Sequence, residues 1–146
     1  YPLSFFAKGI GGDKVTVTTI TPGGAEPHDY ELTTRDIAAI EQSDLFIING
    51  LLEPWKDRMQ DDLKDKKTKI IISSRGLTTQ DPHTWLDPIL AKKEVAEIAR
   101  ALEAINPANK IFYQANEALL LEKLDALDRE FRTSLQNCKE NSKRYG

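Results

Sequence analysis

Cysteine is nearly missing from this chain. Cys138 is the only one in 146 residues, so no disulfide can close within it, and cysteine usage says nothing about compartment. Long hydrophobic runs are missing too: no stretch approaches the roughly 18 apolar residues that a membrane-spanning helix needs. Basic charge is not in excess. Twenty Lys and Arg face 23 Asp and Glu, interspersed along the same segments, which excludes a nucleic-acid-binding face. The common catalytic signatures are absent: no Gly-x-Ser-x-Gly elbow, no His-Glu-x-x-His pair and no phosphate loop. Gly9-Ile10-Gly11-Gly12 lacks the Lys-Ser/Thr step that a phosphate loop requires. No targeting segment is visible, but a chain that starts at Tyr1 without methionine reads as processed or trimmed, so that absence excludes nothing.

What is present has the balance of a globular domain, and the length suits one domain with a sizeable core. Leu3, Phe6 and Ile10 recur at helical spacing until Gly11-Gly12 stops them. Residues 15–20, rich in β-branched side chains, predict a strand, broken by Thr21-Pro22-Gly23-Gly24. Thr33 and Asp36 form a capping-box pattern that starts a short helix with Ile37 and Ile40 inward. Residues 44–49 and 69–73 predict two buried strands, with a helix between them opened by Glu53-Pro54-Trp55 and running to about Leu63. Strands alternating with helices imply an α/β fold: a parallel-sheet, three-layer lobe with helices on both faces.

The strands then stop. Asp87 as N-cap and Pro88 at the first helical position launch a helix with an inner stripe of Val95, Ile98, Ala99, Leu102 and Ile105. Asn106-Pro107 repeats the start signal for a long α-helix to about Asn137, striped by Leu120, Leu124, Leu127, Phe131, Leu135 and Cys138. On that stripe Cys138 reads as a small core residue.

The chemistry concentrates in Asp81-Pro82-His83-Thr84-Trp85-Leu86-Asp87-Pro88 and in Glu26-Pro27-His28-Asp29-Tyr30. Each histidine follows an acidic residue and a proline that stiffens the backbone, and each loop follows a predicted strand. Ligands of parallel α/β sheets bind beyond the carboxyl ends of the strands, so the two imidazoles can converge there on a divalent metal such as zinc. The plainer alternative is two unrelated loop histidines. If the site is shared, the rings should lie within about 8 Å of each other. Two histidines supply half of a four-ligand zinc site. Among nearby carboxylates, Asp87 is committed to capping, Asp29 or Asp81 could orient the imidazoles, and Glu26 reads as a solvated loop acid. Cys138, at the far end of the long helix, is too distant. A metal-dependent hydrolase built on His28, His83 and a carboxylate is the alternative in a different class, and it requires an open water position.

These motifs resemble the metal-binding solute-binding proteins (cluster A-I) of zinc and manganese ABC importers. The carriers are Tyr1-Pro2-Leu3 with Phe5-Phe6-Ala7, Ile10-Gly11-Gly12-Asp13, Pro27-His28-Asp29-Tyr30-Glu31, the segment 38–44 followed by Asn49-Gly50 and Glu53-Pro54-Trp55, and Asp81 through Pro88. The resemblance covers nearly the whole chain. It implies a non-enzymatic, extracytoplasmic protein, periplasmic or a cell-surface lipoprotein, that captures Zn2+ between two lobes and delivers it to a membrane permease. A manganese or iron carrier is the alternative within the family. Residues 1–106 match the N-terminal metal-binding lobe and 107–140 the helix that links the lobes. His28 and His83 match its two metal ligands. The remaining ligands, a histidine and usually an Asp or Glu, belong to a C-terminal lobe that is not in this sequence, and the family's first strand, which lies inside the sheet, is also missing. Zinc-type members usually carry a histidine-rich loop where this chain has only Thr78-Thr79-Gln80, whereas Thr84-Trp85-Leu86-Asp87-Pro88 looks more zinc-type than manganese-type. An apolar strip left on the long helix implies dimers or domain-swapped pairs.

Overall fold

A computed structural model describes residues 2–26, 28–77 and 81–136. Cys138, the end of the expected long helix and the Thr78-Thr79-Gln80 stretch lie outside the described residues. Helix α1 spans Pro2–Gly11, α2 Thr34–Glu41, α3 Lys56–Asp62, α4 Pro88–Ile105 and α5 Lys110–Ser134. Strands β1, Leu45–Ile48, and β2, Lys69–Ile72, pair in parallel with Leu45 opposite Lys69 and Ile48 opposite Ile72.

Side-chain alternation along these two short strands divides the core. Leu45, Ile47 and Ile71 point to one face, against Phe6, Ile10, Val95, Ile98, Leu102, Tyr113 and Leu120 of α1, α4 and α5. Phe46, Ile48, Ile70 and Ile72 point to the other, against Ile40 of α2 and Met59 of α3. Helices therefore cover both faces, as the βαβ pattern predicts. Both cores are sealed by buried aliphatic side chains, and burial of each is worth about 1.5–3 kcal/mol.

Local signals decide most element ends. Thr33 Oγ1 accepts from Asp36 N at 3.2 Å while Thr33 N donates to Asp36 Oδ2 at 2.9 Å, which completes the capping box of α2. Asp87 Oδ1 accepts from Ile89 N at 2.7 Å and Leu90 N at 3.2 Å, capping α4 behind Pro88. Gly50 turns the chain out of β1 at φ +94°, and a Cβ there would meet Ile72 Cγ2 at 2.2 Å. Only glycine fits.

Three expectations need correction. Residues 15–20 form no strand: a cavity of about 1040 Å3, lined by Val15, Val17, Thr19, Leu45 and Ile47 among others, lies between that segment and β1. Without a neighbour at hydrogen-bonding distance, β-branched residues have no ladder to join. Residues 69–73 are not a fully buried strand: Lys69 is exposed and Ile70, Ile71 and Ile72 are partly buried, while Ser73, just past β2, is buried. The long helix begins later than Asn106-Pro107 suggests. Pro107–Asn109 is a 3-10 turn, Asn109 makes no side-chain cap, and the regular helix covers 25 residues, about 37 Å.

Candidate metal site

Both histidine loops close over the carboxyl ends of β1 and β2. His83 precedes a 3-10 turn, Thr84–Leu86, and its carbonyl accepts from Leu86 N at 3.0 Å. The His28 loop is held from the other side. Trp55 Nε1, just before α3, donates to Tyr30 O at 2.9 Å, and Tyr30 Oη donates to Asp36 Oδ2 at 2.8 Å. Two anchors set one residue pair. The imidazole centroids of His28 and His83 lie 5.9 Å apart with ring planes at 67°, inside the expected limit. Two imidazoles on one tetrahedral zinc, with Zn–N bonds of about 2.0–2.1 Å, have centroids roughly 5 Å apart. A shift of about 1 Å would bring these rings to that spacing. Both are exposed, and both line the cavity together with Glu26 and Trp85.

The nitrogen roles follow from one carboxylate. Asp81 Oδ1 lies 2.6 Å from His83 Nδ1 and 2.9 Å from His83 N, so the neutral ring donates from Nδ1 and leaves the Nε2 lone pair available. These bonds hold the Asp81 carboxyl below its ordinary range, the backbone N–H contributing more than the ring. A carboxylate behind an imidazole fixes its tautomer and ring orientation, which suits a metal ligand. Trp85, with its ring centroid 5.4 Å from that of His83, walls the imidazole edge-on.

The other sequence candidates separate cleanly. Asp81 takes the orienting role on His83, and Asp87 is spent on the helix cap. Glu26 is exposed on the His28 loop, where its carbonyl accepts from Asp29 N at 3.2 Å. Among the described residues no group of three or more His, Cys, Asp or Glu side chains is placed to hold a metal.

Beneath the site lies a polar cluster that reading the sequence missed. Glu94 of α4 is fully buried, and its Oε1 accepts from Thr84 Oγ1 at 2.9 Å, Asn49 Nδ2 at 3.1 Å and Ser73 Oγ at 3.1 Å. Burial raises its pKa above the ordinary 4.5, against the pull of those three donors and with a small push from Glu53. The signal was there to find: Ala91, Glu94, Val95 and Ile98 are all buried on one face of α4, and a charged residue on such a stripe needs partners.

Comparison with known proteins agrees with this fold. The family described as "ZnuA: Zinc-uptake complex component A periplasmic" matches residues 1–145. The "High-affinity zinc uptake system protein ZnuA" of Bacillus subtilis (strain 168) is 32% identical over 156 residues, covering 92% of this chain and 49% of that protein. The crystal structure of the metal-dependent lipoprotein YcdH from Bacillus subtilis superposes with a TM-score of 0.90 at 35% identity, over 94% of this chain and 54% of that one. The Zn(II)-bound ZnuA-like domain of Streptococcus pneumoniae AdcA gives 0.87 at 34% identity, over 91% and 52%. The chain thus spans about half the length of the relatives it matches. None of these three carries the name of a hydrolase, and the hydrolytic alternative finds no support in them.

Proposed function

The chain belongs to the zinc-uptake complex component A family, and from that premise we propose that it is the metal-capturing half of an extracytoplasmic binding protein serving an ABC importer. The observation that carries this reading is the 5.9 Å approach of His28 and His83 at the carboxyl edge of the sheet. In the proposed mechanism each imidazole offers one nitrogen to Zn2+ as cargo. A second lobe beyond α5 supplies the remaining ligands, with α5 as the rigid strut between lobes. The site releases its ion to a permease when the lobes part. No bond of a substrate is made or broken.

Nitrogen donors favour zinc over manganese, which prefers oxygen, so zinc is the cargo proposed and manganese or iron the alternative. Zinc titrated calorimetrically into this chain should bind at one site per chain with micromolar or weaker affinity, because water fills the positions that a second lobe would occupy. His28→Ala and His83→Ala should each abolish it, and Glu26→Ala should matter little. Nanomolar binding by this chain, or binding that survives both histidine substitutions, would overturn the two-imidazole site. Zinc-dependent ester or phosphate hydrolysis lost in His83→Ala would restore the enzymatic alternative. The partial exposure of Leu127, Phe131 and Leu135 supports self-association of the isolated chain, and a sharp monomer by light scattering at high concentration would refute it.

A further inference from the structure

We propose that Glu94 is a positioning residue for the metal site, holding His83 in place through Thr84. The inference rests on the metal-binding reading above. Glu94 touches neither imidazole. What it touches are three segments at that edge of the sheet: Asn49 follows β1, Ser73 follows β2, and Thr84 is the residue next to His83. All three donate to the same oxygen, Oε1, and Asn49 Nδ2 also donates to Thr84 Oγ1 at 3.1 Å. The threonine is 1% exposed, although the histidine beside it is exposed. The His83 loop is therefore pinned one residue from its functional side chain, from below, by a carboxylate on a rigid helix.

Stability alone accounts poorly for this arrangement. A carboxylate buried at 0% exposure carries a large desolvation cost, and its second oxygen, Oε2, has no hydrogen-bond partner among the described residues. An aliphatic side chain would continue the stripe of Ala91, Val95 and Ile98 without either cost. The charge does one thing a leucine cannot: it collects three donors from three separate segments at one point and fixes their relative positions. Fixed ligand positions are what a two-imidazole site lacks most, since each ligand that must be ordered on binding weakens the complex.

The test compares two partners of the same oxygen. Thr84→Val keeps the side-chain shape and cuts the link to His83; Ser73→Ala cuts an equivalent hydrogen bond not attached to the loop. Zn2+ affinity by calorimetry and the two imidazole signals by NMR are read on both, alongside thermal unfolding. Thr84→Val should weaken zinc binding by about tenfold or more, as loss of a ligand-orienting contact does, and should shift the His83 ring signals while sparing those of His28. Thr84→Ser should restore both. Ser73→Ala should lower stability with zinc affinity and ring signals unchanged. Parental affinity and an unmoved His83 in Thr84→Val, or an equal loss in Ser73→Ala, would overturn the proposal. Should Thr84→Val not fold, Glu94→Gln decides on the same signals: a shift confined to His83 supports positioning, and no shift, or one shared with His28, refutes it. If the parent binds no zinc, the functional reading fails, yet the His83 signals still decide whether Glu94 positions that ring.

Discussion

A single oxygen of Glu94 receives three hydrogen bonds while its twin receives none among the described residues, and the burial of this carboxyl has a consequence in pH. Burial raises the carboxyl above the ordinary 4.5 in the folded chain. Between that ordinary value and the raised one, the native state keeps the proton that the unfolded chain has already released. Stability from this group is therefore full below about 4.5 and is lost as pH rises through the folded value. Asp36 and Asp81, whose carboxyls are lowered by their hydrogen bonds, act in the opposite sense and lose their contribution as pH falls. Urea unfolding of Glu94→Gln against the parent isolates the first effect: the parent should lose more stability than the variant between pH 4 and pH 7. Parallel curves would mean that Glu94 ionises as freely in the fold as in the unfolded chain. Tyr113 poses a simpler case. It is fully buried with its hydroxyl unpartnered among the described residues, so Tyr113→Phe should be neutral or stabilising by up to about 1 kcal/mol in the same assay.

Among the elements, α4 and α5 look alike in sequence and differ in energetics. Ile98 of α4 is completely buried between α1 and α5, whereas Phe131 of α5 is 47% exposed. Ile98→Ala should cost about 2–5 kcal/mol in urea unfolding. Phe131→Ala should cost well under that, and comparable losses would mean that the far turns of α5 pack against the body. Removing the cap in Asp87→Ala should cost about 1 kcal/mol, read the same way. The same contrast marks how far the sequence could be read. Caps, periodicity and compact apolar runs located α1, α2, α3, α4 and both strands, because a proline, a carboxylate or a continuous apolar run acts within a few residues of itself. Residues 15–20 misled because a strand is defined by a neighbour, and the space beside β1 is a cavity. The start of α5 misled because Pro107 admits a 3-10 turn as readily as an α-turn. Of the candidate site, the convergence of His28 and His83 was legible from their loops, and the fold brings the two rings together. Glu94 carried a signal as a charged residue on the apolar face of α4, but its partners Asn49 and Ser73 carried none, since only tertiary packing brings them to Thr84.

Over the whole molecule, the two imidazole loops are tethered to opposite sides of the sheet, one to α3 through Trp55 and the other to α4 through Thr84 and Glu94. The chain has two tryptophans, and each touches one of those loops: Trp55 holds the carbonyl of Tyr30 near His28, and Trp85 lies against His83. The molecule thus carries its own pair of optical probes, with no label needed. An ion drawing the two rings together changes the surroundings of Trp85 directly and those of Trp55 only through its tether. Emission from Trp85, isolated in Trp55→Phe, should respond to Zn2+ with the larger amplitude. Emission from Trp55, isolated in Trp85→Phe, should respond weakly, and only as far as the His28 loop itself is displaced.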